Sequence, residues 1–110
     1  MLSKANRLRK NKEFNYIYKH GKVISCQYCT IYYVSTRYNT KFGISVSTKV
    51  GKSYIRSRCK RVLSEILRLN VRSIMKNNYV FVVKPNMVGA DYFSVEKVVM
   101  ECMKTAGLVC

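Results

Sequence analysis

The stretch Lys41–Leu69, KFGISVSTKVGKSYIRSRCKRVLSEILRL, restricts the fold more than any other part of the chain. Phe42, Ile44 and Val46 alternate with Gly43, Ser45 and Ser47, the period-2 pattern of a strand with one apolar face. The period breaks at Lys49-Val50-Gly51-Lys52, where Gly51 permits a sharp turn and Ser53 is a candidate N-cap. Ile55, Cys59, Val62, Leu63, Ile66 and Leu69 then recur at spacings of three and four, one apolar stripe of a helix that must pack on a sheet. The rest of that helix carries Arg56, Arg58, Lys60, Arg61 and Arg68, opposed only by Glu65. A merely solvated face mixes signs. Five cations on one arc repel one another unless a polyanion takes up the charge.

The imbalance extends to the whole first half. The chain of 110 residues has 21 Lys and Arg against 5 Asp and Glu, a net charge of +16. Met1–Arg61 holds 15 of those bases and one acid (Glu13), a net +14, and Val62–Cys110 holds the remaining 6 bases and 4 acids, a net +2. A basic surface built by the first half points to a phosphate backbone. A membrane surface would favour Trp or Phe anchors beside the cations, and the chain has no Trp. No apolar run approaches the ~20 residues of a membrane span, and Met1–Lys12 lacks the apolar core of a signal peptide. The five cysteines (26, 29, 59, 102 and 110) are an odd set without a secretory signal, so reduced thiols in a cytoplasmic protein are expected. Cys26-x-x-Cys29 has the spacing of half a zinc or redox site, but no second ligand pair is spaced to complete a zinc site. Cys59 and Cys102 fall on apolar helix faces and read as core.

One domain is expected over residues 1–110, with residues 1–10 as a basic arm that orders on its partner. Asn11 is a candidate N-cap for a helix over Lys12–His20 with Phe14, Ile17 and Tyr18 on one face, closed by Gly21. Lys22–Ser35 reads as strand, with Tyr28, Thr30, Tyr32 and Val34 on one face and Cys29, Ile31 and Tyr33 on the other. Arg37–Thr40 reads as a hairpin-like connection into the strand at Lys41. After the basic helix, Tyr79–Val83 reads as a strand buried on both faces. A loop follows over Asn86–Phe93. Ser94 then caps a helix over Val95–Ala106, which Gly107 ends. The predicted class is α+β, a sandwich of helices on a small mixed sheet.

A catalytic constellation is missing. Glu13 and Glu65 stand among cations, and Asp91, Glu96 and Glu101 are spread in or beside the last helix rather than clustered for a metal or for acid–base work. His20, the only histidine, has no nucleophile or orienting partner spaced with it. Binding has better material. Phe14, Tyr18, Tyr28 and Tyr32 lie in the basic half, where rings can stack unpaired bases while Lys and Arg hold phosphates. Tyr18 and Tyr32 are assigned to an exposed groove. Phe14 suits groove and core equally.

Three segments together resemble one family. They are Asn6-Arg7-Leu8-Arg9-Lys10-Asn11-Lys12-Glu13-Phe14 followed by Tyr18-Lys19-His20-Gly21; Phe42-Gly43-Ile44-Ser45-Val46-Ser47-Thr48-Lys49-Val50-Gly51; and Arg56-Ser57-Arg58-Cys59-Lys60-Arg61. The chain is similar over nearly its whole length to the protein component of bacterial ribonuclease P. The resemblance implies a two-layer α/β sandwich with a left-handed βαβ crossover. It implies a catalytic RNA partner that uses Mg²⁺ to remove the 5′ leader of precursor tRNA, with the protein as its non-catalytic, monomeric subunit in a 1:1 complex. It places Arg56, Ser57, Arg58, Lys60, Arg61, Lys49 and Lys52 against the catalytic RNA, and Phe14, Tyr18 and Tyr32 in a cleft for the single-stranded leader. Two positions depart from the family pattern. Ser57 stands where the Arg-Asn-Arg motif has Asn, and Thr48-Lys49 where two lysines are usual. A general RNA-binding or ribosomal protein would bind structured RNA without leader dependence. A self-sufficient nuclease would cleave without an RNA subunit.

Overall fold

The computed structural model describes residues 6–8, 10–36 and 40–109. Most of the basic arm, and Arg37–Asn39 of the expected hairpin connection, lie outside the described residues. The elements in chain order are α1 (Asn11–His20), β1 (Lys22–Ser25), β2 (Cys29–Ser35), β3 (Lys41–Ser45), α2 (Ser53–Asn70), β4 (Asn77–Val83), a 3₁₀ turn (Pro85–Met87) and α3 (Tyr92–Thr105). The strands form one mixed sheet in the order β1-β2-β4-β3.

β4 lies in the middle, antiparallel to β2 (Ile31 opposite Phe81) and parallel to β3 (Phe42 opposite Tyr79). β3, α2 and β4 are thus a βαβ unit. This corrects the hairpin reading of Arg37–Thr40, because β2 and β3 are not neighbours. The strand expected over Lys22–Ser35 is itself a hairpin, with β1 antiparallel to β2 and residues 26–28 as the bend. β4 carries the alternating side chains of both faces into apolar surroundings, as its uninterrupted Tyr-Val-Phe-Val-Val run requires.

One face of the sheet holds the larger core. Cys29, Ile31, Phe42, Tyr79, Phe81 and Val83 pack there against Cys59, Leu63, Ile66 and Leu67 of α2 and Val95, Val99 and Met103 of α3. The Phe42 and Tyr79 rings stack at 5.4 Å. The buried Tyr79 hydroxyl donates to the Met75 carbonyl at 2.9 Å and accepts from Asn77 Nδ2 at 3.1 Å, which removes the cost of burying it. The buried stripe of α2 runs through Leu67 rather than Leu69, which is exposed. On the opposite face, Ile17 of α1 and Leu8 bury Val80, flanked by Phe14, Tyr32, Val34 and Val82. Residues 6–8 do not wait for a partner: the Leu8 N–H donates to the Phe42 carbonyl and Asn6 Nδ2 to the Thr40 carbonyl, so they run beside β3.

Helix starts differ by one to three residues from expectation. Lys10 and Lys52 occupy the N-caps of α1 and α2 without a side-chain hydrogen bond, and Asn11 and Ser53 are the first helical residues. α3 begins earlier, capped by Asp91, whose carboxylate accepts from the Ser94 N–H. Hydrogen bonding from the Ser94 side chain, and then from its N–H, holds the Asp91 carboxyl below its ordinary value. Gly107 ends α3 at φ +78, a left-handed position suited to glycine.

The cysteines correct a second expectation. Cys26, in the β1–β2 bend, and Cys102, on α3, are joined in a disulfide with their Cα atoms 6.2 Å apart, where reduced thiols were expected. The fold packs the bend against α3, and no sequence spacing announces that. Cys29, which stands opposite Cys26 across the hairpin and in the same core, remains a free thiol, and burial pushes it up to about 12. Cys26 is bonded to Cys102 and not to Cys29. Cys59 is buried as expected.

Candidate nucleic-acid interface

The expected arc of α2 resolves into parts with different surroundings. Successive residues advance about 100° around a helix, so Arg58 and Lys60 stand about 200° apart. Arg58 and Arg61 are exposed on the outer face, away from the sheet. Lys60 lies on the flank facing α1 and helps line a groove with Asn11, Phe14, Asn15, Tyr18, Ile44, Ser45 and Val46. Arg56 is half-buried and donates from Nε to the Gly51 carbonyl at 3.2 Å, clamping the turn that starts the helix. Arg68 is neutralised by a two-point contact with Glu65, which lowers the Glu65 carboxyl below its usual value. Lys49 and Lys52 are exposed on the turn, and Ser57 is exposed on the first turns of α2. The outward field of this helix therefore comes from Lys52, Arg58 and Arg61, continued by Lys49.

The groove has a volume of about 390 Å³ and lies between α1 and the β3 edge. Its floor depends on Gly43. A Cβ there would stand 2.5 Å from Cε1 and Cζ of the Phe14 ring, so glycine is what leaves the ring room against β3. Tyr18 forms the adjoining wall. The Tyr32 ring meets it edge-on at a centroid distance of 4.9 Å. Phe14 and Tyr18 thus line the groove, and Tyr32 backs Tyr18 from the small cluster below. Tyr28 packs against the larger core on the other side of the molecule. Glu13 pairs with Lys41 at 3.7 Å, tying the start of α1 to β3.

Sequence reasoning passed over Asn11, Asn15 and Ser45, the polar lining of the groove. Asn11, Asn15 and Tyr18 follow one another at spacings of four and three, so the same helical arithmetic that found the apolar face would have placed them on one side. The groove therefore offers two rings, two amides, a hydroxyl and a lysine. Flat aromatic faces, hydrogen-bonding groups and a cation in an open cleft suit an unpaired nucleotide strand.

Three of the five carboxylates are committed elsewhere: Glu13 to Lys41, Glu65 to Arg68 and Asp91 to the α3 N-terminus. Among the described residues no three His, Cys, Asp or Glu are gathered as a metal ion would need. This donor set does not fit a Mg²⁺ site held by the protein, and no chemical step is assigned to one.

Comparison with known proteins decides what such a surface belongs to. The family model described as Ribonuclease P matches residues 2–107.

The chain belongs to the ribonuclease P protein family.

The ribonuclease P protein component of one Clostridium botulinum strain is 40% identical over 108 residues, covering 96% of this chain and 97% of its own. That of Alkaliphilus oremlandii is 39% identical over 106 residues, covering 94% and 93%. Among solved structures, the RNase P protein of Staphylococcus aureus superposes with a TM-score of 0.89 over 97% of this chain and 100% of its own, at 23% identity, which speaks to the fold. The Thermotoga maritima RNase P protein, solved with 1-(4-fluorophenyl)-2-thiourea, gives 0.83 at 27% identity, covering 89% and 97%. Membership makes this chain a protein subunit of bacterial ribonuclease P, the endoribonuclease that matures tRNA 5′ ends. RNA binding and tRNA processing follow from the family. Its α+β sheet of four strands with three helices is the architecture of those structures. Among the described residues no helix is long and apolar enough to cross a membrane.

Proposed function

We propose that the ribonuclease P protein holds two RNAs on two flanks of α2. The outer face, with Lys49, Lys52, Ser57, Arg58 and Arg61, meets the catalytic RNA. The groove flank, with Phe14, Tyr18 and Lys60, and with Tyr32 behind them, takes the single-stranded 5′ leader of precursor tRNA. Arg56 shapes the turn through its bond to the Gly51 carbonyl and adds its charge to the same RNA contact. The observation that carries this reading is the separation of Lys60 from Arg58 and Arg61. One helix turns cations toward an aromatic groove and toward open solvent at once.

The protein's part is then electrostatic and positional. Cations between two approaching polyanions lower their mutual repulsion, so less Mg²⁺ is needed for the RNA to assemble and bind substrate. The Mg²⁺ used in hydrolysis belongs to the catalytic RNA. The working complex is one protein to one RNA, in the cytoplasm.

Reconstitution tests this. The purified chain is mixed with a bacterial ribonuclease P RNA and 5′-labelled precursor tRNA at low millimolar Mg²⁺. The expected result is release of one discrete leader only when both components are present, with tighter binding of precursor than of mature tRNA. Cleavage by the protein alone would reassign the catalysis. Equal affinity for precursor and mature tRNA would remove the leader from the groove.

A further inference from the structure

Tyr54 has no structural reason to be where it is. It lies in the first turn of α2 and is 70% exposed, although most large apolar side chains of this chain are buried. Tyrosine is a weaker helix former than the Ala, Leu, Lys or Glu that an exposed helical position favours. Among the described residues its ring meets no other ring and its hydroxyl has no hydrogen-bond partner.

Its neighbours are cationic. At about 100° per residue, Arg58 lies about 40° around the helix from Tyr54, and Arg61 about 20° on the other side. The three side chains follow one line along the outer face over two turns of about 5.4 Å each. Lys52 precedes them. Glu65, the next acid along this face, is already taken by Arg68. An exposed ring at the head of a file of arginines joins the two contacts that an unpaired nucleotide needs: a flat apolar face for the base and cations for its phosphates.

We infer that Tyr54, Arg58 and Arg61 form a platform on which one unpaired base of the catalytic RNA stacks against the Tyr54 ring, while the two guanidiniums hold the flanking phosphates. This rests on the proposal that the outer face of α2 meets that RNA. It adds a shape-selective contact to a surface otherwise described only by charge. A docking protein would use the ring as an apolar knob. A base needs it as a plane.

Equilibrium binding of the full chain to a bacterial ribonuclease P RNA, measured across a range of salt concentrations, tests the platform. The variants are Tyr54→Phe, Tyr54→Leu, Tyr54→Ala and Arg58→Ala. Tyr54→Phe keeps the plane and stays within about twofold of the parent. Tyr54→Leu and Tyr54→Ala weaken binding roughly tenfold at every salt concentration, with an unchanged slope of log affinity against log salt. Arg58→Ala makes that slope shallower by about one. Tyr54→Leu binding like the parent, with Arg58→Ala still impaired, overturns the platform and leaves the interface standing. Arg58→Ala and the Tyr54 variants all binding like the parent overturns both.

Discussion

Replacing Gly43 by alanine tests how the groove is built. The added Cβ would sit 2.5 Å from two carbons of the Phe14 ring and 3.1 Å from Leu8 Cδ1. Ordinary contact begins at 3.4 Å, so the ring must retreat by roughly 1 Å or swing out of its seat. Overpacking of this kind costs about 1–3 kcal/mol. Alanine also restricts the unfolded chain, which returns about 0.4–1 kcal/mol. The expected net loss is about 1–2 kcal/mol, a fall in Tm of several degrees. The functional effect is larger in proportion. Displacing Phe14 removes one aromatic wall, and a stacked base is worth about 1–3 kcal/mol, roughly fivefold or more in affinity. Two assays separate these effects: urea unfolding for stability, and the ratio of affinities for leader-bearing and mature tRNA. Gly43→Ala lowers both. Adding Phe14→Leu relieves the clash and restores stability, but leaves the leader preference lost. A Gly43→Ala protein with parental stability and parental leader preference would refute the argument that this glycine seats the ring.

Tyr32→Ala removes the edge contact behind Tyr18, and should weaken precursor binding several-fold while leaving mature tRNA unchanged in a side-by-side titration. Reducing the Cys26–Cys102 link, which joins residues 76 apart, should cost about 4 kcal/mol, read as a lower urea midpoint with reductant; Cys102→Ser should show no response to reductant. The thiol of Cys29 stays protonated in the fold up to about 12, against an unfolded value near 9.0. Its contribution is therefore complete below pH ~9 and lost as pH rises toward ~12. Burial raises the Tyr79 hydroxyl as well, so alkaline unfolding should be shallower, not abolished, in Cys29→Ala.

Much of this could be read from residue patterns, and what could not has a common cause. The strand–turn–helix of Lys41–Leu69 was legible because its signals are local: alternation, a glycine, then a 3.6-residue period. The β1–β2 bend was not, because residues 26–28 carry no Gly, Pro or Asn. That bend is held from far along the chain, by the Lys84 N–H donating to the Tyr28 carbonyl and Lys84 Nζ to the Cys26 carbonyl at 2.6 Å. The insertion of β4 between β2 and β3, and the pairing of Cys26 with Cys102, are likewise long-range facts with no local signature. In the interface, the identity of the cations is legible in the sequence, and helical arithmetic contains their division between two flanks. In the sequence Arg56 is one more cation of the exposed arc; its bond to Gly51 depends on the backbone path of the turn. Arg68 belongs to the same arc by position, and its Glu65 partner three residues away is a local signal that sets it apart.

The central position of β4 sets an order on synthesis. On the ribosome, β1, β2, β3 and all of α2 are made before the strand that joins them, and until Asn77–Val83 has been added, β2 and β3 have nothing between them. The half that emerges first, Met1–Arg61, carries a net +14 from 15 bases and one acid. A nascent segment so charged, with its sheet still open, is attracted to any nearby nucleic acid before it has a shape with which to discriminate. Closure depends on pairings distant in sequence, which form slowly. Selectivity for one RNA is therefore acquired late, when β4 slots into place and fixes α2 against the sheet.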